Sequence, residues 1–203
     1  MTSRRIHPTK EKLIETMVSL MDSRALHEIQ VEDVLHESKI SKGSLYHHFE
    51  NFDDLTAAAL IFRFADSVDR SIDMVGDVIN KATNAEEFIN GVILVTTATQ
   101  GPERSRFRLE RARVIGLSIN SPRIADDLAL EQERLTQAMT DVVREGQEKG
   151  WVSKQFSAQT IAVFLQAYTL GRVVDDVATE EVRIDSEDWN NVVNAAVKAL
   201  LTF

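Results

Sequence analysis

The sequence predicts an all-α protein of about nine helices, and two observations carry that prediction. Apolar residues recur along most of the chain with the 3.6-residue spacing of one helical face, not with the alternation of a half-buried strand. The 203 residues include only three prolines and eight glycines, and no serine- or glycine-rich linker interrupts the apolar pattern. With 43% hydrophobic residues, the chain can bury a sizeable core.

Two helices are predicted before residue 40. Thr9 is the expected N-cap of the first helix, because its hydroxyl can accept a backbone hydrogen bond. The apolar residues of this helix fall on one face: Leu13, Ile14, Met17, Val18 and Met21. A short helix from Val31 to about Glu37 follows and would bury Val34 and Leu35.

The next two helices begin at residues that favour N-caps. Ser41 is the expected cap of a short helix in which Leu45 and Phe49, four residues apart, face inward. Asn51 can cap a longer helix from about Asp53 to Asn80.

The stretch from about Ala85 to Thr99 contains "VILVTTAT", whose β-branched residues have strand propensity. We predict a helix, because no second strand is available to pair with it. This helix would be enclosed on all sides, since its central residues are apolar in succession: Val92, Ile93, Leu94 and Val95. Pro102 opens the next predicted helix, which reaches about Asn120.

Three helices complete the predicted fold. Ser121 and Pro122 form a cap and a first-turn proline at the start of a long helix that ends at Gly150. The helix from about Ser157 to Ala178 is apolar on nearly every side and therefore needs cover on more than one face. The last helix begins at Ser186 and carries a continuous apolar stripe: Trp189, Val192, Val193, Ala196, Val197, Leu200 and Leu201.

Composition and charge restrict the function. The chain has no cysteine, which excludes disulfides, thiolate metal sites and cysteine nucleophiles and fits a reducing cytoplasm. No apolar run approaches the roughly 20 residues that span a bilayer, so we expect a cytoplasmic protein without a membrane partner. The net charge is −9, but residues 1–48 carry seven Lys or Arg against seven Asp or Glu and hold all five histidines. Two electrostatic halves suggest two roles.

Residues 30–52 have the layout of a helix-turn-helix. With Leu45 and Phe49 buried, the polar side chains of the helix capped by Ser41 project outward: Lys42, Ser44, Tyr46, His47 and His48. Lysine and tyrosine suit DNA phosphates, and histidine and serine suit phosphates or base edges. Metal binding by His47 and His48 is the rival interpretation. Adjacent residues on a helix diverge by about 100°, and no histidine pair has the i, i+4 spacing that shares an ion, so we predict no metal and no cofactor.

Three segments, in order, are "TKEKLIETMVSLM", "VEDVLHES" and "SKGSLYHHFENFDDL". Over roughly residues 9 to 60 they closely resemble the DNA-binding domain of the TetR family of transcriptional regulators. The resemblance implies a three-helix helix-turn-helix DNA-binding domain at 1–52 and a larger helical ligand-binding and dimerisation domain at 53–203. It also implies a homodimeric repressor that binds a palindromic operator in double-stranded DNA and is released by a small-molecule inducer. The residues that we expect at the DNA are Gln30, Ser41, Lys42, Gly43, Ser44, Tyr46, His47 and His48.

The chain departs from the family pattern at three positions. Gln30 stands where a threonine often caps the second helix, and it is a weaker cap. Lys39 stands where a glycine is common in the turn, so a left-handed residue there would be strained. Phe52 replaces a frequent lysine and removes an expected phosphate contact. We therefore expect modest DNA affinity and an unchanged fold.

A ligand pocket is predicted inside the second half. An apolar cavity with a few convergent polar groups would suit a largely hydrophobic ligand with an anionic end such as a carboxylate. Because buried polar groups need partners, the candidate ligand residues are Thr96, Thr97, Thr99, Arg113, Gln166, Tyr168 and Arg172. The alternative is that the threonines bond to their own helix and Arg172 pairs at the surface with Asp175 or Asp176.

The stretch "ERSRFRLERAR" holds five arginines on two faces of one helix. Arg104, Arg108 and Arg111 share one face, and Arg106 and Arg113 lie roughly opposite. Either one group faces inward or a neighbouring domain, or most of these side chains are solvated.

The last two helices are predicted to form the dimer interface, because they carry more apolar surface than one core can cover. Pairing with the same helices of a second chain gives a four-helix bundle. The expected contacts are Trp189, Val192, Val193, Ala196, Val197 and Leu200.

The second function class is an all-helical enzyme or an interaction module with a purely structural helical hairpin. The chain has no glycine-rich phosphate loop and no histidine in its second half to act as a base. It has no paired carboxylates outside solvated helical faces. We therefore expect a regulator and not an enzyme.

Overall fold

A computed structural model of the protein describes residues 7–202. Residues 1–6 and 203, which the two predicted domains include, lie outside the described residues. Within the described range the chain forms two short 3₁₀ turns, Leu26–Glu28 and Pro102–Arg104, and no strand. The α-helices in that range are α1 Pro8–Ser23, α2 Val31–Ser38, α3 Lys42–His48, α4 Phe52–Lys81, α5 Ala85–Ala98, α6 Ser105–Ser118, α7 Pro122–Glu148, α8 Ala158–Gly171, α9 Val173–Asp176 and α10 Ser186–Leu201.

The predicted all-α class is confirmed. Helix α9 is a single turn that directly follows α8, so the count agrees with the expected nine or so helices. The break falls after Gly171, a residue of low helix propensity, where one helix from Ser157 to Ala178 was predicted. Similarly, the segment that begins at Pro102 is a 3₁₀ turn before it becomes α6.

Three predicted N-caps are confirmed by their hydrogen bonds. The side-chain oxygen of Ser41 accepts from the N–H of Ser44 at 3.2 Å, and that of Asn51 accepts from Asp54 at 2.8 Å. The hydroxyl of Ser121 accepts in the same way at the start of α7. Each cap satisfies an N–H that the helix itself leaves without a partner.

The cap predicted at Thr9 is wrong. Helix α1 begins one residue earlier, at Pro8, and His7 caps it by accepting from the N–H of Thr9 at 3.3 Å. Proline suits the first helical position because it has no N–H to satisfy. Helix α10 begins at Ser186 as expected, and the carboxylate of Asp185 caps it.

Two clusters of buried apolar residues form the interior. The first is built by α1, α2, α3 and the first half of α4, and it reaches Val114 of α6 and Ile124 of α7. The second is built by the later half of α4 with α5, α7, α8 and α10. The 30-residue α4 contributes to both clusters, and at 1.5 Å per residue it runs for about 45 Å between them.

One prediction about α5 is wrong. Its central residues are not enclosed on all sides, because the side chain of Leu94 is 71% exposed. Val92, on the opposite side, is buried in the second cluster. No described helix combines the length and the apolar character needed to cross a membrane.

Candidate nucleic-acid interface and ligand cavity

Helix α3 packs on the core through its apolar side and has a polar outer surface. Leu45 and Phe49 are fully buried in the first cluster, as their four-residue spacing predicts. The outward residues are Lys42, Gly43, Tyr46 and His47, which are exposed, and Ser44 and His48, which are half-buried. A Cβ atom built at Gly43 would meet nothing within 4 Å, so a ligand backbone has room to approach the first turn.

Three imidazoles cluster at the C-terminal end of α3. The ring centroid of His48 lies 4.9 Å from that of His7 and 5.1 Å from that of His47. Burial, and then the nearby charges of His7, His47 and Lys10, hold the pKa of His48 below its usual value of 6.5. Among the described residues no group of three or more His, Asp or Glu side chains is arranged to hold a metal ion.

The two unusual turn residues behave differently. Gln30 is exposed and its side chain makes no capping bond; the carboxylate of Asp33 accepts from the N–H of Gln30 at 2.8 Å instead. Lys39 has φ 58° and ψ 26°, the left-handed conformation that favours glycine. The strain expected at this position is therefore present, and it costs about 1–2 kcal/mol.

A cavity of about 390 Å³ lies between α4, α5, α6, α7 and α8. Three of the predicted ligand residues line it: Thr96, Thr99 and Gln166. The hydroxyl of Thr99 donates to the carbonyl of Thr96 at 2.7 Å, as the alternative interpretation of the threonines requires. Apolar atoms form most of the cavity's surface, and the apolar residues of the wall include Leu60, Phe64, Met74, Val95, Phe107 and Met139.

Four predicted ligand residues do not line this cavity. Thr97 donates to Asn194 of α10 at 3.3 Å, and Arg113 is exposed on the outer side of α6. Tyr168 packs against Phe164 with ring centroids 5.9 Å apart, and burial raises its pKa. Neighbouring side chains on a helix point about 100° apart, so a residue next to a cavity-facing one does not face the cavity. The apolar pattern of the sequence does not distinguish two such neighbours.

The fourth of these residues, Arg172, is buried and not at the surface. Its guanidinium donates to the carbonyl of Gln100 and to the hydroxyl of Ser186, and it lies 5.7 Å from the ring centroid of Trp189. Its nearest carboxylate oxygen, on Asp175, is 4.0 Å away. Arg172 therefore ties the end of α8 to the α5–α6 connection and to the start of α10.

Instead, arginines of α4, of the second 3₁₀ turn and of α6 supply the cavity's positive charge. Arg104, Arg108 and Arg111, which the sequence places on one face, all line the cavity, whereas Arg106 and Arg113 are exposed. The inward alternative for this group is thus confirmed. Cavity residues that the pattern did not single out include Arg63, Phe64, Phe107 and Glu110.

Arg108 makes a buried ion pair across the fold. Its guanidinium donates to the two carboxylate oxygens of Asp176 at 2.5 and 2.7 Å, and also to the backbone carbonyls of Thr99 and Gly101. Burial alone raises the pKa of Asp176, but the hydrogen bonds and the charge of Arg108 outweigh it and hold the pKa below its usual value of 3.8.

Polar contacts connect the cavity wall to α1. Arg63, which lines the cavity, lies 3.2 Å from the carboxylate of Asp22 on α1 and 3.4 Å from that of Glu110 on α6. Arg106 donates to the carbonyl of Met21 and lies 3.0 Å from Glu110. The C-terminal end of α1 is therefore bound to Arg63, which borders the cavity, and to Arg106, which pairs with the cavity residue Glu110.

No protein-family model matches the chain. It is 20% identical over 178 residues to the HTH-type transcriptional regulator UidR of Escherichia coli, covering 86% of this chain and 84% of that protein. The structure superposes with a TM-score of 0.62 on a Rhodococcus sp. protein described as a TetR-family transcriptional regulator, 18% identical, covering 97% of this chain and 100% of that one. A transcriptional regulator from Saccharomonospora viridis, solved in complex with choline, gives a TM-score of 0.65 at 20% identity over 95% of this chain and 96% of that one.

The chain has the fold of the TetR-family transcriptional regulators. This agrees with the resemblance over roughly residues 9 to 60, which rests on sequence motifs and not on the fold. The three similar proteins are described as transcriptional regulators and none as an enzyme, so they lend the enzyme alternative no support.

In this TetR-type fold the stripe on α10 is divided between two sides. Val193 and Val197 are buried against α5 and the rest of the second cluster, so their prediction as dimer contacts is wrong. Trp189 is half-buried and donates to the side chain of Gln100 at 2.9 Å. Val192 and Ala196 are exposed, and Leu200 is half-buried. The apolar stripe on α10 is wider than one contact surface, so some of its residues pack into the chain's own core and others stay exposed.

Proposed function

We propose that the protein is a DNA-binding transcriptional regulator of the TetR family. It acts in the cytoplasm as a homodimeric repressor that binds a palindromic operator and is released by a small molecule. The observation that carries the proposal is α3: a capped helix, anchored by Leu45 and Phe49, whose outer face is polar and accessible. The fold that it shares with known regulators supports the same function.

Helix α3 would lie in the major groove. Tyr46 and Lys42 would bond phosphates, and His47, His48 and Ser44 would bond phosphates or base edges. Gly43 allows the DNA backbone to come close to the first turn. Gln30 lies at the start of α2, where its side chain is exposed and makes no capping bond, and so is available to DNA.

Exposed apolar residues on the last helices support dimerisation. On α8, Val163 is 49% and Phe164 42% exposed, and on α10 Val192 is 64% exposed. Ala196 lies on the same outer side of α10 and is also exposed. Contact with the same two helices of a second chain would cover these residues and form a four-helix bundle with twofold symmetry. A twofold dimer presents two α3 helices, which matches a palindromic site.

The contacts between the cavity and α1 suggest how a ligand releases the operator. A molecule that enters the cavity meets Arg63, which pairs with Asp22 of α1, and Glu110, which pairs with Arg63. If the molecule binds more tightly to another arrangement of α1 and α6 than to the DNA-bound one, it lowers operator affinity. The operator lowers the affinity for the molecule by the same factor. The choline complex of the Saccharomonospora viridis protein supports small-molecule binding in this fold.

The test is operator selection followed by affinity measurement. Duplexes selected from a random-sequence library should contain an inverted repeat with half-sites about one helical turn or more apart. The double variant His47→Ala, His48→Ala should lose about tenfold or more in affinity, since two groove contacts are removed. His27→Ala, an exposed histidine on the 3₁₀ turn after α1, is the matched control and should bind as wild type.

Repression is tested by transcribing a promoter that overlaps the selected site, where added protein should lower the transcript level. Failure to select any duplex at low salt would refute DNA binding. Unchanged affinity in the double variant would instead show that α3 is not the reading helix.

A further inference from the structure

We propose that the cavity binds an apolar molecule bearing one carboxylate, which Arg111 and Arg104 receive. This inference rests on the ligand-released regulator proposed above and names the chemical class of its ligand. The choline of the similar structure is a cation, so the inference comes from the charges of this chain and not from that relative.

The wall of the cavity has uncompensated positive charge. Five arginines line it, and three of these have carboxylate partners in the same chain: Arg63 with Glu110, Arg70 with Asp66, and Arg108 with Asp176. For Arg104 and Arg111, no carboxylate of the described residues lies within ion-pair distance. The remaining acidic residue of the wall, Asp73, is exposed to solvent. A ligand anion would supply the missing counter-charge.

Arg111 is oriented by neutral groups. It donates to the side-chain oxygen of Gln132, and its guanidinium lies 4.9 Å from the ring centroid of Phe64. The amide nitrogen of Gln132 donates in turn to Gln166 at 2.6 Å and to Thr136 at 3.0 Å. This network fixes the direction of Arg111 but leaves its charge intact. Arginine has five N–H donors in a rigid fork, so others stay available to a carboxylate.

Burial increases the need for an anion. It lowers the pKa of Arg111, which means that the surroundings disfavour the charged form. A guanidinium remains charged at neutral pH in spite of such a shift. A carboxylate that accepts two parallel N–H bonds from it would relieve this unfavourable state and would also be held in one orientation.

The rest of the wall specifies an apolar body for the ligand. The guanidinium groups of Arg104 and Arg63 each lie 5.5 Å from the ring centroid of Phe107. That of Arg111 lies 4.9 Å from the ring centroid of Phe64, so both phenyl rings of the wall have a guanidinium group close by. Aliphatic residues supply much of the remaining surface, among them Leu60, Val68, Met74, Val95, Leu135 and Met139. The volume of about 390 Å³ lies within the range of about 300–1,000 Å³ typical of small-molecule sites. A single charged end and an apolar remainder fit this division.

The experiment compares probes that differ only in their polar end. Octanoate, octanamide and octylamine form one series, and 4-phenylbutyrate, its amide and 4-phenylbutylamine form the other. At least one acid should raise the melting temperature of the full chain more than its amide, and the amine should not raise it. Calorimetry on that acid then compares wild type with Arg111→Gln, which should weaken binding about tenfold or more because it removes the charge.

Arg113→Gln is the matched control, because it removes an exposed arginine from the same helix without touching the cavity. It should bind the acid as wild type. If Arg111→Gln does not fold, Arg104→Gln makes the same test from a half-buried position.

The inference is overturned if neither acid stabilises the chain, if an amide or amine stabilises it equally, or if both cavity variants keep wild-type affinity for the acid. These results are distinct from failure of the proposed function, which is measured by operator binding without any probe. A chain that binds its operator but no acid refutes only the ligand class. A chain that binds an acid but no duplex refutes the regulator.

Discussion

The buried pair of Arg108 and Asp176 should be the most sensitive polar contact of the fold. The two side chains are 4% and 6% exposed, and two hydrogen bonds of 2.5 and 2.7 Å join them. The two residues are 68 positions apart in the chain, and their pair holds α9 against α6. The perturbation is Asp176→Asn, which preserves size and one acceptor but removes the charge.

The magnitude follows from what the substitution leaves behind. An asparagine oxygen still accepts one bond, so one charge-assisted bond of about 1.5–3 kcal/mol is lost. The guanidinium of Arg108 also becomes a buried charge without a counter-charge, and removing one partner of such a pair costs about 3–5 kcal/mol in all. Because the bonds from Arg108 to Thr99 and Gly101 persist, we expect the lower end, about 3 kcal/mol.

Urea unfolding followed by circular dichroism measures this loss. All variants need the same protein concentration, because the stability of a dimer depends on it. The matched control is Asp141→Asn, which breaks an Arg–Asp pair of 2.5 Å with Arg144 whose side chains are about half exposed. That pair should contribute less than about 1 kcal/mol, since solvent screens it.

The pH dependence gives an independent check. The pKa of Asp176 is depressed in the folded chain, so its contribution is present above the unfolded pKa of about 3.9 and is lost as pH falls through the folded value. The difference between wild type and Asp176→Asn should therefore be constant from about pH 5 to 8 and shrink only below about pH 4. An Asp176→Asn loss no larger than that of Asp141→Asn would refute the reasoning.

Three further predictions concern the turn, the groove and the dimer. Lys39→Gly should raise the free energy of unfolding, measured in urea, by a few tenths to about 1 kcal/mol. The reason is that relief of the left-handed strain exceeds the entropy cost of glycine. A lower free energy of unfolding in this variant would contradict the prediction. Operator affinity, measured by fluorescence anisotropy at constant ionic strength, should rise as pH falls toward about 6. The reason is that a DNA phosphate raises the low pKa of His48 in the complex, so that binding takes up a proton. If His48→Gln shows the same pH profile as wild type, His48 is not the group responsible. Val192→Glu and Ala196→Glu should give folded monomers in sedimentation velocity, because both side chains are exposed. Val193→Glu should instead unfold the chain, because that side chain is buried. Folded dimers for the first two variants would exclude an interface made by α8 and α10.

Much of the structure of residues 30–52 was predictable from local sequence. The caps at Ser41 and Asn51 and the inward positions of Leu45 and Phe49 depend on residues at most four apart. Such short-range signals state where a helix begins and which side is apolar. The cap of α1 was missed because a histidine fills a position usually held by serine, threonine or aspartate.

The cavity was predictable only in part. Thr96 and Gln166 line it as expected, but Arg63 comes from α4 and carried no distinguishing pattern. The sharing of one face by Arg104, Arg108 and Arg111 was the signal available for the charged wall. It left open whether that face met solvent or the interior.

The sequence by itself determined the all-α class, most helix boundaries and the polar outer face of α3. All of these follow from hydrogen bonds and side-chain spacings within one or two helical turns. The tertiary structure alone decided that Val193 faces the chain's own core while Val192 faces outward, and that Arg108 finds its counter-charge on Asp176. Periodicity defines the sides of a helix, but what each side meets depends on packing between segments far apart in the chain, which no local pattern encodes.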